Sequence, residues 1–246
     1  NTLDQVTHTW GDVPYPARYV YDSYSRLSQM HTWQTGTSWS GATFPTDIEG
    51  QQDVTTWNYQ EATGLLTSKV DDAGQSTAYT YTSGGKLLTR TWARLNGGVA
   101  LVTSYGYDPD TADLVSVNYS DTTPDVTFSY DRLGRQTTVT DGLGGRTFGY
   151  NTVLQPTTET IAGLYNKVLT RTYAATGVIG RSTGLSTDSG YSVSYGYDPT
   201  GRFNSVGWTV NGNTGNAAYT YVPNSDLLSQ LTTSAGQVTD YTYEPN

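Results

Sequence analysis

Phe128-Ser129-Tyr130-Asp131-Arg132-Leu133-Gly134-Arg135-Gln136-Thr137-Thr138-Val139 reads as one β-hairpin. Phe128 and Tyr130 are two residues apart and fall on one face of an extended strand. Asp131 then enters a turn, where its carboxylate can accept a backbone N–H two residues on. Gly134 supplies the positive φ that closes a tight hairpin. The Thr- and Val-rich run that follows suits an antiparallel return strand.

The same grammar recurs along the 246 residues. A landmark tyrosine with a partner two residues before it appears at Tyr21, Tyr59, Tyr81, Tyr107, Tyr130, Tyr150, Tyr173, Tyr197, Tyr221 and Tyr243. After a first gap of 38 residues the spacing is 20–26. The preceding partners are Tyr19, Trp57, Tyr79, Tyr105, Phe128, Phe148, Arg171, Tyr195, Tyr219 and Tyr241, of which nine are aromatic. Gly follows the tyrosine at the same offset in Tyr81/Gly85, Tyr130/Gly134, Tyr173/Gly177 and Tyr197/Gly201. Each of these four glycines is expected to close its hairpin. Where Gly is missing, Asp113 and Asp226 are expected to take its place, since Asp tolerates a left-handed backbone.

Fixed-period self-similarity marks a repeat architecture. The expected fold is all-β: about ten tandem antiparallel hairpins in residues 19–246, after a lead-in strand or partial repeat in 1–18. The long first gap places an inserted or decayed repeat at 30–56. Roughly 20 strands at ~4.8 Å each would make a sheet about 95 Å long, which twist should curl or spiral. No helical stripe of apolar residues appears, and Gly or Pro interrupts every segment.

Composition agrees. Leu, Ile, Val and Phe make only 44 of 246 residues, too few for a thick aliphatic core, while 21 Tyr and 6 Trp supply apolar surface. Charged residues are 14%, well short of a disordered composition. A net charge of −9 with 13 scattered basic residues disfavours nucleic acid. The absence of cysteine excludes disulfides, thiolate chemistry and Cys-based zinc sites. No apolar run approaches the ~18 residues of a membrane span. The chain starts at Asn1 and stops just after a new repeat has begun, so it is expected to be a fragment of a longer protein.

The segments Tyr105-Gly-Tyr-Asp-Pro109, Tyr130-Asp-Arg-Leu-Gly-Arg135, Tyr195-Gly-Tyr-Asp-Pro-Thr-Gly-Arg202 and Tyr19-Val-Tyr-Asp-Ser-Tyr-Ser-Arg-Leu27 resemble tyrosine–aspartate (YD, or Rhs) repeats. The resemblance runs from Tyr19 onward. It implies a strip of hairpins that spirals into a hollow shell, as in bacterial Rhs polymorphic toxins and the B–C component of Tc toxins, or a barrel as in teneurins. It also implies the partners: the remaining repeats and capping domains of a parent protein, and an enclosed C-terminal toxin or effector polypeptide. A secreted or cell-surface bacterial location follows from the same resemblance. The family's self-cleavage segment with paired aspartates is not recognisable here. Asp198-Pro-Thr-Gly201 resembles part of it, but reads as an ordinary turn of the repeat.

Chemistry-bearing residues read mostly as structure. His8 and His31 are the only histidines, lack metal-type spacing and are assigned outside the repeats. Asp22, Asp108, Asp131 and Asp198 recur after the tyrosines, so turn capping explains them better than paired-carboxylate catalysis. Asp71-Asp72 and Asp108-Pro-Asp110 lack a calcium loop, and Gly142-Leu-Gly144-Gly145 has no helix to follow it. No catalytic residue, metal or cofactor is expected. Of the tryptophans, Trp57 occupies a repeat slot; Trp33 and Trp39, in the inserted stretch, remain candidates for stacking on a sugar. The expected function is a structural shell segment without catalysis of its own, with an extracellular adhesin or carbohydrate-binding surface as the alternative. Tyr107, Tyr130 and Tyr197 are expected to be buried against equivalent tyrosines, and open sheet edges to favour self-association.

Overall fold

The computed structural model describes residues 1–11, 15–33, 41–45 and 50–244. They form twenty strands and, among the described residues, no helix. The chain divides into two units, Asn1–Asp125 and Val126–Asn246.

The first unit holds β1 (His8–Thr9), β2 (Ala17–Tyr21), β3 (Leu27–Thr32), β4 (Asp53–Tyr59), β5 (Leu66–Val70), β6 (Ser76–Tyr81), β7 (Leu87–Asn96), β8 (Val99–Tyr107) and β9 (Leu114–Tyr119). The second holds β10 (Val126–Tyr130), β11 (Gln136–Asp141), β12 (Gly144–Tyr150), β13 (Pro156–Ile161), β14 (Lys167–Tyr173), β15 (Ser182–Thr187), β16 (Tyr191–Tyr197), β17 (Phe203–Val210), β18 (Asn213–Tyr221), β19 (Leu228–Thr233) and β20 (Val238–Asp240). Within each unit every strand pairs antiparallel with the next in sequence. The expected all-β fold of tandem hairpins is therefore what the chain adopts. In the stretch 30–56, β3 pairs directly with β4, from Gln29↔Thr56 to Thr32↔Asp53.

Nine landmark tyrosines, Tyr21 through Tyr221, are the last residue of their strand. Tyr243 lies just beyond β20. Each of the nine sits at a register shift. Ser129 faces Thr138 but Tyr130 faces Gln136, leaving Thr137 as an extra residue on the return strand. The same one-residue bulge occurs at Tyr21↔Leu27, Tyr81↔Leu87, Tyr150↔Pro156 and Tyr197↔Phe203. Such bulges strengthen local twist and turn side chains to new directions.

Five of the turns that follow landmark tyrosines have five residues, and one rule covers these five. The first residue is Asp22, Thr82, Asp131, Asn151 or Asp198, and its side-chain oxygen accepts the backbone N–H of Arg26, Lys86, Arg135, Gln155 or Arg202. The fourth residue has positive φ: Ser25 at 65°, Gly85 at 79°, Gly134 at 75°, Leu154 at 71° and Gly201 at 87°. Glycine is favoured there because an L side chain crowds the backbone in that region.

Gly177 departs from the role its offset from Tyr173 assigned to it. Its φ is positive, at 68°, but it does not close a five-residue turn. The connection from Tyr173 to Ser182 is longer and spans 174–181, so Gly177 falls in mid-loop, exposed to solvent. Closure passes to Gly180, at φ 83°, whose N–H donates to the Ala174 carbonyl at 3.0 Å, while the Ala174 N–H reaches the Arg181 carbonyl at 2.9 Å. Ala174 also explains the difference. It stands where the tight turns carry Asp, Asn or Thr, and it has no side-chain oxygen to draw the return strand in early.

In the turns that lack this glycine after Tyr107 and Tyr221, the left-handed residues are Ala112 and Asn224. Asp113 and Asp226 do not play that part, because each turn has one extra residue and the kink falls earlier.

The described residues build no thick core. Among the described residues only Pro16, Ala17, His31, Trp33, Thr103, Gly184 and Gly201 are buried. The expectation of buried, mutually packed tyrosines fails here. Tyr107, Tyr130 and Tyr197 are half-buried. A lone sheet layer can cover a ring on one side only, and the other side is met by a cation or by solvent.

Candidate functional site

At three turns the repeat places a carboxylate, a guanidinium and an aromatic ring together. In Asp22–Arg26 the guanidinium donates from Nε to Asp22 Oδ2 at 2.7 Å, with Nη2 also at 2.7 Å. Asp131–Arg135 repeats this at 2.7 and 2.6 Å, and Asp198–Arg202 at 2.8 and 2.8 Å. The other carboxylate oxygen accepts two amides: Tyr24 and Arg26 at Asp22, Leu133 and Arg135 at Asp131, Thr200 and Arg202 at Asp198. Such forked, charge-assisted pairs fix geometry as well as charge.

The clamped guanidinium then lies over the tyrosine of the following hairpin. Arg26 is 4.4 Å from the Tyr59 ring centre, Arg135 4.3 Å from Tyr150 and Arg202 4.2 Å from Tyr221. Lys86 over Tyr107 and Arg181 over Tyr197 are looser versions at 5.1 and 5.5 Å. Lys86, Arg181 and Arg202 also donate to the turn that follows, at the carbonyls of Ala112, Gly201 and Ser225. Gln5 and Gln155 do so without charge, to Ser25 and Gly180. Four turns thus hold their successors through Lys86, Gln155, Arg181 and Arg202.

The tyrosine hydroxyls make a second connection, in the opposite direction along the chain. Tyr59 donates to the Leu27 carbonyl, Tyr81 to Leu66 and Tyr107 to Leu87, each at 2.8 Å. In the second unit Tyr150 donates to Gln136, Tyr173 to Pro156, Tyr197 to Ser182, Tyr221 to Phe203 and Tyr243 to Leu228, at 2.7–2.8 Å. Every one of these acceptors is the first residue of a return strand, in the preceding hairpin.

Electrostatics follow the geometry. At Asp131 the Arg135 side-chain hydrogen bond leads in holding the carboxyl below its ordinary range. At Asp198 the Thr200 hydroxyl leads, joined by the Arg202 amide and side chain. At Asp22 partial desolvation pushes upward, and the bonds from Arg26 and Tyr24 outweigh it. Desolvation raises the Tyr59, Tyr81 and Tyr107 phenols above their ordinary value, which keeps them as donors.

The residues across the sheet from this aromatic face are small and hydroxylated. Thr80 meets Thr89 at 2.6 Å, Thr172 meets Thr183 at 3.0 Å and Thr220 meets Ser229 at 2.9 Å. Gly106, Gly149 and Gly196 face Ser116, Thr158 and Ser205, and a Cβ at any of them would fall within 2.2–2.3 Å of the opposing hydroxyl.

Among the described residues the structure brings no catalytic set together. Trp33 is only 2% exposed. Its ring packs edge-on against Phe44 at 5.5 Å and beside His31, with Arg18 at 6.0 Å. It is a packing residue, so an open stacking platform at Trp33 is ruled out by burial. Trp39 lies outside the described residues. His31 belongs to β3, inside the first hairpin rather than outside the repeats. Its Nδ1 faces the Arg18 guanidinium at 3.2 Å. Arginine can only donate, so Nδ1 is the acceptor and Nε2 carries the hydrogen toward Gln29 Oε1. Among the described residues no group of three or more His, Asp or Glu is arranged to hold a metal. No helix among them is long and apolar enough to cross a membrane.

Sequence reading found the tyrosines, aspartates and most of the turn glycines but missed the arginines. The signal was present: Arg stands four residues after Asp in Asp22–Arg26, Asp131–Arg135 and Asp198–Arg202. The carbonyl acceptors had no signal, because any residue carries one.

No family model matches the chain, and no curated protein matches it. Among solved structures the chain is similar to a TcdB2–TccC3–Cdc42 crystal structure, at 15% identity and TM-score 0.40, over 92% of this chain and 13% of that one. It is similar at 16% identity and TM-score 0.38 to the Photorhabdus luminescens Tc holotoxin pore, over 87% of this chain and 12% of that one. A porin-like protein from Bacteroides uniformis matches at 16% identity and TM-score 0.26, over 85% and 90%. The chain therefore spans about an eighth of the length of the toxin chains, and likenesses at these scores say nothing of function.

Proposed function

We propose that this chain is a wall segment of a YD/Rhs-type shell, one that encloses a polypeptide following the repeats and does no chemistry itself. The observation that carries the reading is the double connection between successive hairpins. At Tyr59, Tyr107, Tyr150, Tyr197 and Tyr221 a cation of the preceding turn caps the ring, and the hydroxyl bonds back to the preceding hairpin. Hairpins are thus secured to their neighbours instead of to a shared core, which is how a one-layer wall holds together. A wall also needs faces that tolerate water or a loosely held guest. Half-buried tyrosines on one face and hydroxyls on the other meet that need. The partners are the remaining repeats and capping domains of the parent, and the setting is secretion or the bacterial surface.

The test uses the full parent polypeptide. The segment after the repeats is probed with protease, with and without Tyr→Phe and Arg→Gln substitutions at Tyr150, Tyr221, Arg135 and Arg202. Enclosure predicts a protected segment that becomes cleavable as the connections are removed. A segment cut equally fast in the unsubstituted parent overturns the reading.

A further inference from the structure

The β7–β8 hairpin breaks the repeat, and the break makes a cleft. Thr91 pairs with Val102 and Leu95 with Ala100, so three residues, Trp92, Ala93 and Arg94, stand against Leu101 alone. A bulge of this size points side chains away from their regular positions. It aims the Trp92 indole N–H at the Thr103 hydroxyl, 2.9 Å away, and Thr103 is only 3% exposed. The Arg90 guanidinium lies 3.5 Å from the centre of the Trp92 ring and fixes it from one side. The resulting cleft, about 260 Å³, lies wholly within the first unit. Trp92, Tyr119 and Leu101 give it apolar walls, and Asp121, Thr123 and Arg94 give it polar ones.

The charged pair here differs from the three Asp–Arg pairs made within single turns. Arg94 Nη2 stands 3.9 Å from Asp121 Oδ2, where the turn pairs close to 2.6–2.8 Å. Asp121 Oδ1 accepts the Thr123 N–H at 3.0 Å, and the Thr123 hydroxyl leads in keeping the carboxyl ionised. A carboxylate and a guanidinium therefore face one apolar cleft, too far apart to satisfy each other. A cationic ligand would compete with Arg94, and an anionic one with Asp121. A neutral ring bearing adjacent hydroxyls can engage both by charge-assisted bonds and lay its C–H face on the aromatic walls. The volume is below the ~300–1,000 Å³ of drug-sized sites, which suits one such ring.

We propose that the Trp92–Asp121 cleft binds a single hexose-sized sugar residue, with Arg94 and Asp121 on its hydroxyls. The site is independent of the shell reading and of Trp33. Saturation-transfer NMR on the full 246-residue chain tests it, with the methyl α-glycosides of glucose, galactose and mannose as probes and benzylammonium as the competing cation. At least one glycoside should show transfer, with a dissociation constant of about 1–10 mM. Arg94 is 76% exposed, so Arg94→Ala leaves the fold intact and should weaken binding at least about threefold. Asp121→Asn should do the same, and Trp208→Ala should change nothing. The proposal is overturned if no glycoside shows transfer at about 50 mM, a level well above that affinity range. It is also overturned if binding is unchanged in both Arg94→Ala and Asp121→Asn, or if only benzylammonium binds.

Discussion

The Tyr150 hydroxyl donates to the Gln136 carbonyl at 2.8 Å. Gln136 is also the residue that pairs with Tyr130 across the preceding bulge. One tyrosine therefore ends at the backbone position that the previous tyrosine sets. The pattern recurs at Tyr221, which donates to Phe203, the partner of Tyr197. Since an isolated hairpin is marginal in water, this register-locked contact adds to the β11–β12 ladder in letting one hairpin stabilise the next.

Removing one such hydroxyl should have a modest, local effect. Tyr150→Phe keeps the ring under Arg135 and loses only the bond to Gln136, so it should cost about 0.5–1.5 kcal/mol in urea denaturation. Tyr150→Ala also loses half-buried ring surface and should cost roughly 2 kcal/mol more, below the ~3–5 of a core aromatic. Equal midpoints for the wild type and both variants would show that the ladder carries no stability.

Leu154 holds the turn position that Gly134 and Gly201 hold elsewhere, with φ of 71° and 54% exposure. Its side chain contributes little packing and meets the steric penalty of the left-handed region. Leu154→Gly should therefore stabilise the chain, by up to about 1 kcal/mol after glycine's entropy is deducted. Gly134→Val should do the reverse and cost about 1–2 kcal/mol, although nothing lies within 4 Å of its missing Cβ. Thermal midpoints that move the other way would refute the assigned turn geometry.

The fold was legible because its signals are local. Tyr130, Asp131 and Gly134 announce strand end, turn capping and left-handed kink within five residues, and each appears where expected. Gly177 shows the limit of that signal. Its offset from Tyr173 matches, but without a capping side chain at Ala174 the offset does not set the turn length, and Gly180 closes the loop instead. Tyrosine burial was misjudged because residue type says nothing about whether a second layer covers the sheet. Trp33 was misjudged for a related reason: its companions Phe44 and Arg18 are distant in sequence or on another strand. The Arg94–Asp121 spacing depends on the Trp92 bulge, which no local motif marks.

Both limbs of the pH profile follow from the direction of the shifts. Asp22, Asp131 and Asp198 are lowered from 3.8 in the folded chain, so their contribution is complete above about pH 4 and is lost as pH falls through the lower folded values. Tyr59, Tyr81 and Tyr107 are raised from 10.0, so theirs is complete below about pH 10 and is lost as pH climbs through the higher folded values. Urea midpoints should form a plateau between these limits. Asn151 already makes the same two amide bonds as Asp131. A triple Asp→Asn variant at Asp22, Asp131 and Asp198 should therefore stay folded and show a shallower acid limb, reduced but not abolished because Asp108 and Asp121 are lowered too. An acid limb of unchanged slope would remove the turn pairs as its cause.

The last strand offers an edge. β20 pairs with β19 through Gln230↔Asp240, Leu231↔Thr239 and Thr232↔Val238, and among the described residues it has no partner on its other side. The Tyr241 N–H donates to the Ser229 carbonyl at 3.0 Å, so the alternate N–H groups, of Val238 and Asp240, point outward. Val238 is 55% exposed. An edge with open donors and an apolar residue is a template for pairing with another chain. Sedimentation velocity over a concentration series should show self-association. Val238→Pro removes an outward donor without touching the β19 ladder, and Val238→Lys adds a charge; each should shift the chain toward monomer. Association that persists at full strength in both variants would locate it elsewhere, and a strict monomer at high concentration would show that the edge does not pair.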